Sequence, residues 1–130
     1  MTITFSFSMD REMQDFICLR VWQKAHDLTR KIYQTTRKFP SEEKPGLISQ
    51  IRKASFSIKS NVEEGCINNN DKEFARLISS AQGSVCEVQS KLILAKDLYY
   101  LPDNEFNVLE QKILEISIIL STLKQMLRSY

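Results

Sequence analysis

Apolar residues recur at three- and four-residue steps along most of this chain, which is the period of a helix face turned to a core. The first such segment runs from about Leu19 to Lys38, with Trp22, Ala25, Leu28, Ile32 and Tyr33 on its stripe, and Phe39-Pro40 ends it. A second is expected from Ser41, a candidate N-cap followed by Glu42 and Glu43, with Pro45 in the opening turn or kinking it. Its stripe is Leu47, Ile51, Ala54, Ile58 and Val62, and Gly65 reads as its C-terminal stop.

The third segment follows Asn68-Asn69-Asn70, with Asp71 and Glu73 in its first turn. Phe74, Leu77, Ile78, Ala81, Val85, Val88, Leu92, Ala95 and Tyr99 form its stripe before Leu101-Pro102-Asp103 restarts the chain. The fourth carries a heptad, Phe106, Leu109, Ile113, Ile116, Leu120, Leu123 and Leu127, the spacing of a bundle seam. Short connections force neighbours to run in opposite directions. The fold class expected is all-α: an antiparallel up-down-up-down four-helix bundle over 16–130, preceded by a loose N-terminal arm over 1–15. The opening MTITFSFSMD has no basic start and no proper apolar core, so it does not read as a signal peptide. It reads as an arm, or as sequence ahead of a start at Met9 or Met13.

Composition narrows the chemistry. Three glycines and three prolines are too few for a sheet built on tight turns, and the glycines are too far apart for a phosphate-cradling loop. One histidine, His26, cannot supply the paired Glu-x-x-His motifs of a bundle di-iron site, and it is expected as a packed imidazole at the core edge. No serine has a histidine and an acid at catalytic spacing. Neither a metal, a cofactor nor a small-molecule substrate is expected, and the chain reads as non-enzymatic. Cys18, Cys66 and Cys86 are odd in number and lack a CxxC pair, which argues for free thiols in a reducing, cytoplasmic setting. No apolar run is long enough to span a bilayer.

Net charge is +2, but from Arg20 to Lys59 there are ten basic residues against three acids, and elsewhere eight against thirteen. Advancing about 100° per residue aligns Arg20, Lys24, Lys31 and Lys38 on the first helix, and Arg52 with Lys59 on the second. Cations spaced by helical turns suit phosphates, and they equally suit a solvated face. Opposite the third stripe lie Ser79, Gly83, Cys86, Ser90 and Leu94, and opposite the fourth Leu114 and Ile118. So apolar a second face points to self-association. On the second helix Gln50, Ser57, Asn61 and Glu64 share one side and read as a structural polar network, joined by Glu87.

Leu19-Arg20-Val21-Trp22-Gln23-Lys24-Ala25, Ser49-Gln50-Ile51-Arg52-Lys53-Ala54 and Ser57-Ile58-Lys59-Ser60-Asn61-Val62-Glu63-Glu64-Gly65 carry a resemblance. So do Lys72-Glu73-Phe74, Gly83-Ser84 and Leu94-Ala95-Lys96-Asp97-Leu98. From Phe16 to Leu127 the chain resembles the small bundle family encoded in intervening sequences of bacterial large-subunit ribosomal RNA genes. That family commonly has proline at the Lys59 position, alanine at Glu63 and glycine at Tyr99, so without that proline the second helix is expected to run straighter here. The resemblance implies a non-enzymatic bundle, often a homopentameric ring, sometimes labelled ribosomal from gene location. More distantly the chain is similar to the accessory variability protein of diversity-generating retroelements, a basic pentameric barrel that binds nucleic acid and a reverse transcriptase. The expectation is therefore an oligomer contacting RNA or DNA phosphates through Arg20, Lys24, Lys31, Lys38, Arg52 and Lys59. The alternative is an adaptor that docks a reverse transcriptase or another protein.

Overall fold

The first proline is Pro40 and the first glycine Gly46, so no helix breaker precedes them. The computed structural model describes the backbone of residues 2–127 and the side chains of residues 11–127. Helix α1 runs Thr2–Thr36, and the segment expected as a loose arm is helical from Thr2. Nothing in its sequence interrupts the backbone ladder. Burial starts only at Cys18 among the described side chains, so the helix continues ahead of the bundle. Its core stripe is Cys18, Val21, Ala25, Leu28 and Ile32, in strict three-four alternation. That phase corrects two expectations. Val21 takes the core place assigned to Trp22, which lies half-buried on the seam with the next helix, and Tyr33 is exposed.

Pro40 opens a 3-10 turn over Ser41–Glu43, and a wide π-type turn over Lys44–Ile48 follows. Ser41 makes no capping hydrogen bond, and Gly46 breaks helical geometry at φ −112°, ψ −107°. The second helix is thus kinked at its entry rather than capped by Ser41. Helix α2, Ser49–Cys66, then runs unbroken through Lys59, and Ile51, Ala54, Ile58 and Val62 face inward. Gly65 lies inside α2, buried, and is not the stop that its residue type suggested.

Helix α3, Asp71–Asp97, starts with the Asn70 side chain accepting from the Glu73 backbone N–H at 3.1 Å. It ends where the Tyr100 N–H donates to the Ala95 carbonyl (2.9 Å) and the Tyr99 N–H to that of Lys96 (3.0 Å). This is the paired-bond C-terminus that ordinarily takes glycine, and Tyr99 adopts its left-handed conformation at φ 64°. Tyr99 therefore points outward, 95% exposed, instead of completing the α3 core stripe. Helix α4, Asp103–Leu127, buries all seven residues of its heptad.

Direction follows from the pairs that join the helices. Trp22 meets Glu63 while Thr36 meets Arg52, so α1 and α2 run oppositely. Ser57–Ser84 and Gly65–Phe74 do the same for α2 and α3, and Gln89–Glu110 and Gln82–Lys124 for α3 and α4. Lys24–Glu115 and Lys38–Glu105 close the ring between α1 and α4. The chain is an antiparallel four-helix bundle, with no strand among the described residues.

One expectation about the cysteines is overturned. Cys18 on α1 and Cys66 at the end of α2 form a disulfide, with their Cα atoms 5.9 Å apart. Antiparallel packing brings together two residues that the spacing along the chain left unrelated. Only Cys86 is a free thiol, exposed on α3.

Candidate nucleic-acid interface

The six aligned cations divide by what they already touch. Lys24 Nζ lies 3.0 Å from Glu115 and Lys38 Nζ 3.0 Å from Glu105, so Lys24 ties α1, and Lys38 the turn that follows it, to α4. Lys112 of α4 donates to Asp27 Oδ2 at 2.6 Å on the same seam. These lysines hold the carboxyls of Asp27 and Glu115 below the ordinary carboxylate range, chiefly through the hydrogen bonds from Lys112 and Lys24. Arg52 donates from Nε to the buried Thr36 hydroxyl at 2.9 Å and stacks its guanidinium 4.5 Å over the Tyr33 ring. Lys59 stands 5.3 Å from the Trp22 ring centroid. Arg20 and Lys31 have no ion pair among the described residues. The row on α1 therefore works largely as the α1–α4 seam, with Arg20 and Lys31 left over.

A second cluster of cations lies where α1 turns into α2. An open groove of about 870 Å³ is lined by Arg37, Lys44, Arg52 and Lys53, with the rings of Tyr33 and Phe56 among its walls and no carboxylate. Thr36, Ser41 and Ser49 add hydroxyls. Glu43 stands close in sequence, turned toward α3's end, where it accepts from the Tyr100 hydroxyl at 2.9 Å, and that bond raises the Tyr100 pKa. Of the six expected contacts only Arg52 lines this groove. Arg37, Lys44 and Lys53 were not singled out because they straddle the Phe39-Pro40 break, where turning residues about a single helix axis loses its meaning. Their clustering on either side of that break was the signal available.

From the groove an aromatic strip continues along the α1–α2 seam. His26 is exposed, not packed at the core edge, because it stacks on the outer Trp22, ring centroids 5.2 Å apart and planes 11° from parallel. The Trp22 indole donates to Glu63 Oε1 at 2.6 Å, so Lys59 and Glu63 of α2 both attend to this ring.

The polar network is smaller than expected. Ser57 Oγ bonds Ser84 Oγ of α3 at 2.9 Å, and Asn61 Nδ2 donates to the Ser57 carbonyl at 2.9 Å. Gln50 and Glu64 are exposed at either end of their line, and Glu87 pairs with Lys91 on its own helix. Only Ser57 is level with a hydroxyl across the α2–α3 interface. The second face of α3 and α4 is open: Ser79, Gly83, Cys86, Ser90 and Leu94 are all exposed, as are Leu114 and Ile118 at 51% and 60%. No group of His, Cys, Asp and Glu among the described residues has the arrangement to hold a metal ion. No described helix is long and apolar enough to cross a membrane.

No curated protein matches the chain. A family model does, over residues 18–122, from the disulfide cysteine of α1 to the last turns of α4 and so through all four helices. The chain belongs to the 23S rRNA-intervening sequence protein family.

Proposed function

We propose that this bundle is a non-enzymatic nucleic-acid-associated protein that contacts phosphates, without reading bases by hydrogen bonds, through the α1–α2 face. The observation that carries the reading is the groove at the α1–α2 turn, where Arg37, Lys44, Arg52 and Lys53 converge with no carboxylate among its lining residues. Anionic polymers are drawn to such a concentration of one sign. Arg20 and Lys31 lie on the opposite side of α1, in the row with Lys24 and Lys38 that faces α4. They form a second basic row apart from this groove, in which Lys24 and Lys38 already have carboxylate partners. Lys59 lies beyond the groove on the α1–α2 seam.

Homo-oligomerisation belongs to the same proposal. Leu94, Leu114 and Ile118 expose apolar surface opposite the core, and a ring, a pentamer in the family pattern, would repeat the basic face. A cytoplasmic location is part of the same proposal and rests on the nucleic-acid reading, since the Cys18–Cys66 disulfide removes the argument from free thiols.

Fluorescence anisotropy against labelled RNA and DNA across a salt series tests the reading. Binding is expected at low salt and falls steeply as salt rises; Arg37→Glu with Lys53→Glu abolishes it. Absence of binding at low salt, or indifference to that double reversal, overturns it. A second reading, an adaptor for a protein partner such as a reverse transcriptase, is favoured by the same open apolar face. One stoichiometric protein recovered with the chain after nuclease treatment, together with no nucleic-acid affinity, would establish it.

A further inference from the structure

Resting on the nucleic-acid reading above, we infer that the α1–α2 seam is built for single strands, with Phe56 as a stacking platform for unpaired bases. Phe56 projects from α2 with 53% of its surface exposed, an awkward place for a phenyl ring that contributes nothing to the core. Lys59 Nζ lies 5.9 Å from its ring centroid on one side, and Arg52 and Lys53 share the groove with it on the other.

The arrangement repeats along the seam. Lys59 lies between the Phe56 and Trp22 rings, His26 stacks on Trp22, and Arg52 covers Tyr33. From Trp22 to Arg37 the strip follows α1 for about 22 Å. Aromatic rings therefore alternate with cations along a line, opening at one end into the groove of Arg37, Lys44 and Lys53.

A duplex has little use for that alternation. Its phosphates face outward and its bases are stacked on one another, so an exposed phenyl on the protein meets sugar and phosphate and gains nothing. A single strand offers base faces and phosphates together, and a ring flanked by cations takes both at once. Stacking uses the π-face that every base has, so RNA and DNA strands are both accepted. Charge complementarity favours this occupant over a protein, because the groove offers four cations and no acid to answer them.

The test compares oligo(U), oligo(dT), a DNA duplex of equal length and heparin, a polyanion without bases, by competition at fixed salt on the intact protein. Both single strands are expected to bind about tenfold tighter than the duplex. Phe56→Ala loses about that tenfold for the single strands and leaves heparin unchanged, whereas Phe56→Tyr keeps wild-type affinity. Quenching of Trp22, the only tryptophan, accompanies binding of either strand. If Phe56→Ala and wild type bind single strands equally while Lys53→Glu weakens every polyanion, the stacking inference falls and the phosphate reading stands. No binding to any of the four overturns both. If Phe56→Ala instead lowers the sedimentation mass, the ring lies in a protein interface and the inference is overturned.

Discussion

A β-carbon placed on Gly65 stands 2.9 Å from Cδ1 of Phe74, inside contact distance. Gly65 is therefore a place where α2 and the start of α3 approach too closely for any side chain, and Phe74 fills the space instead. The α2–α3 turn that orients both helices depends on that approach.

Gly65→Ala should accordingly destabilise the fold by about 1–3 kcal/mol, the usual cost of overpacking a dense core. The higher helix propensity of alanine offsets at most about 1 kcal/mol of it. Chemical denaturation followed by circular dichroism measures the difference. A paired Phe74→Leu change, which withdraws the clashing ring edge, should recover part of the loss relative to Gly65→Ala alone.

Tyr99 is the opposite case, a side chain where glycine belongs. A non-glycine residue in the left-handed region carries a penalty of about 1–2 kcal/mol. Tyr99 is almost wholly exposed and makes no compensating core contact. Tyr99→Gly should raise stability by about 1 kcal/mol, seen as a higher denaturant midpoint with an unchanged slope. A fall in stability would mean that the exposed ring is held by something outside the monomer.

The Cys18–Cys66 bond closes a loop with a sequence separation of 48 residues. Removing such a cross-link by Cys18→Ser with Cys66→Ser is expected to cost about 2–4 kcal/mol, through the wider freedom of the unfolded chain. Thermal melts with and without reductant should separate for the wild type and coincide for the double variant. Coincidence for the wild type as well would show the thiols to be unpaired in solution.

What was legible beforehand was whatever repeats along one helix. All seven heptad residues of α4 and the α3 stripe up to Ala95 are buried as their period requires. The errors fall where two adjacent residues are both apolar or where two helices meet. Val21 and Trp22 differ by one step, and only the phase set by Cys18 and Ala25 decides between them. The disulfide, the Gly65–Phe74 approach and the four-cation groove each join separate segments. The pattern along one helix carries no term for them. The aligned lysines show the same limit from the other side: their alignment was real, but it placed Lys24 and Lys38 against carboxylates of α4.

That α1–α4 seam should respond to acid. Asp27 and Glu115 have folded-state pKa values below their ordinary ones, so they bind protons less readily folded than unfolded. Their contribution is then complete above the ordinary carboxylate pKa of about 4 and is lost as pH falls through the lower folded values. Asp27→Asn should cost less than about 1 kcal/mol at neutral pH, because both partners are partly solvated. The gap between variant and wild-type melting temperatures should close as the pH is taken below about 4. A gap that persists in acid would assign the effect to packing instead of charge.

Gly83 separates the monomer from the oligomer. It lies in mid-helix with nothing within 4 Å of an added β-carbon, so within one chain Gly83→Ala meets no obstacle. The substitution should then stabilise α3 by about 0.5–1 kcal/mol through reduced freedom of the unfolded backbone. If a second copy packs against this face, however, the same methyl group stands in its way. Dilute samples should show the variant more resistant to denaturant, while sedimentation shows weaker association than the wild type. Leu114→Ser with Ile118→Ser should weaken association without the gain in monomer stability. A Gly83→Ala variant that is both more stable and as strongly associated as the wild type would remove Gly83 from the contact, leaving Leu94, Leu114 and Ile118 to account for it.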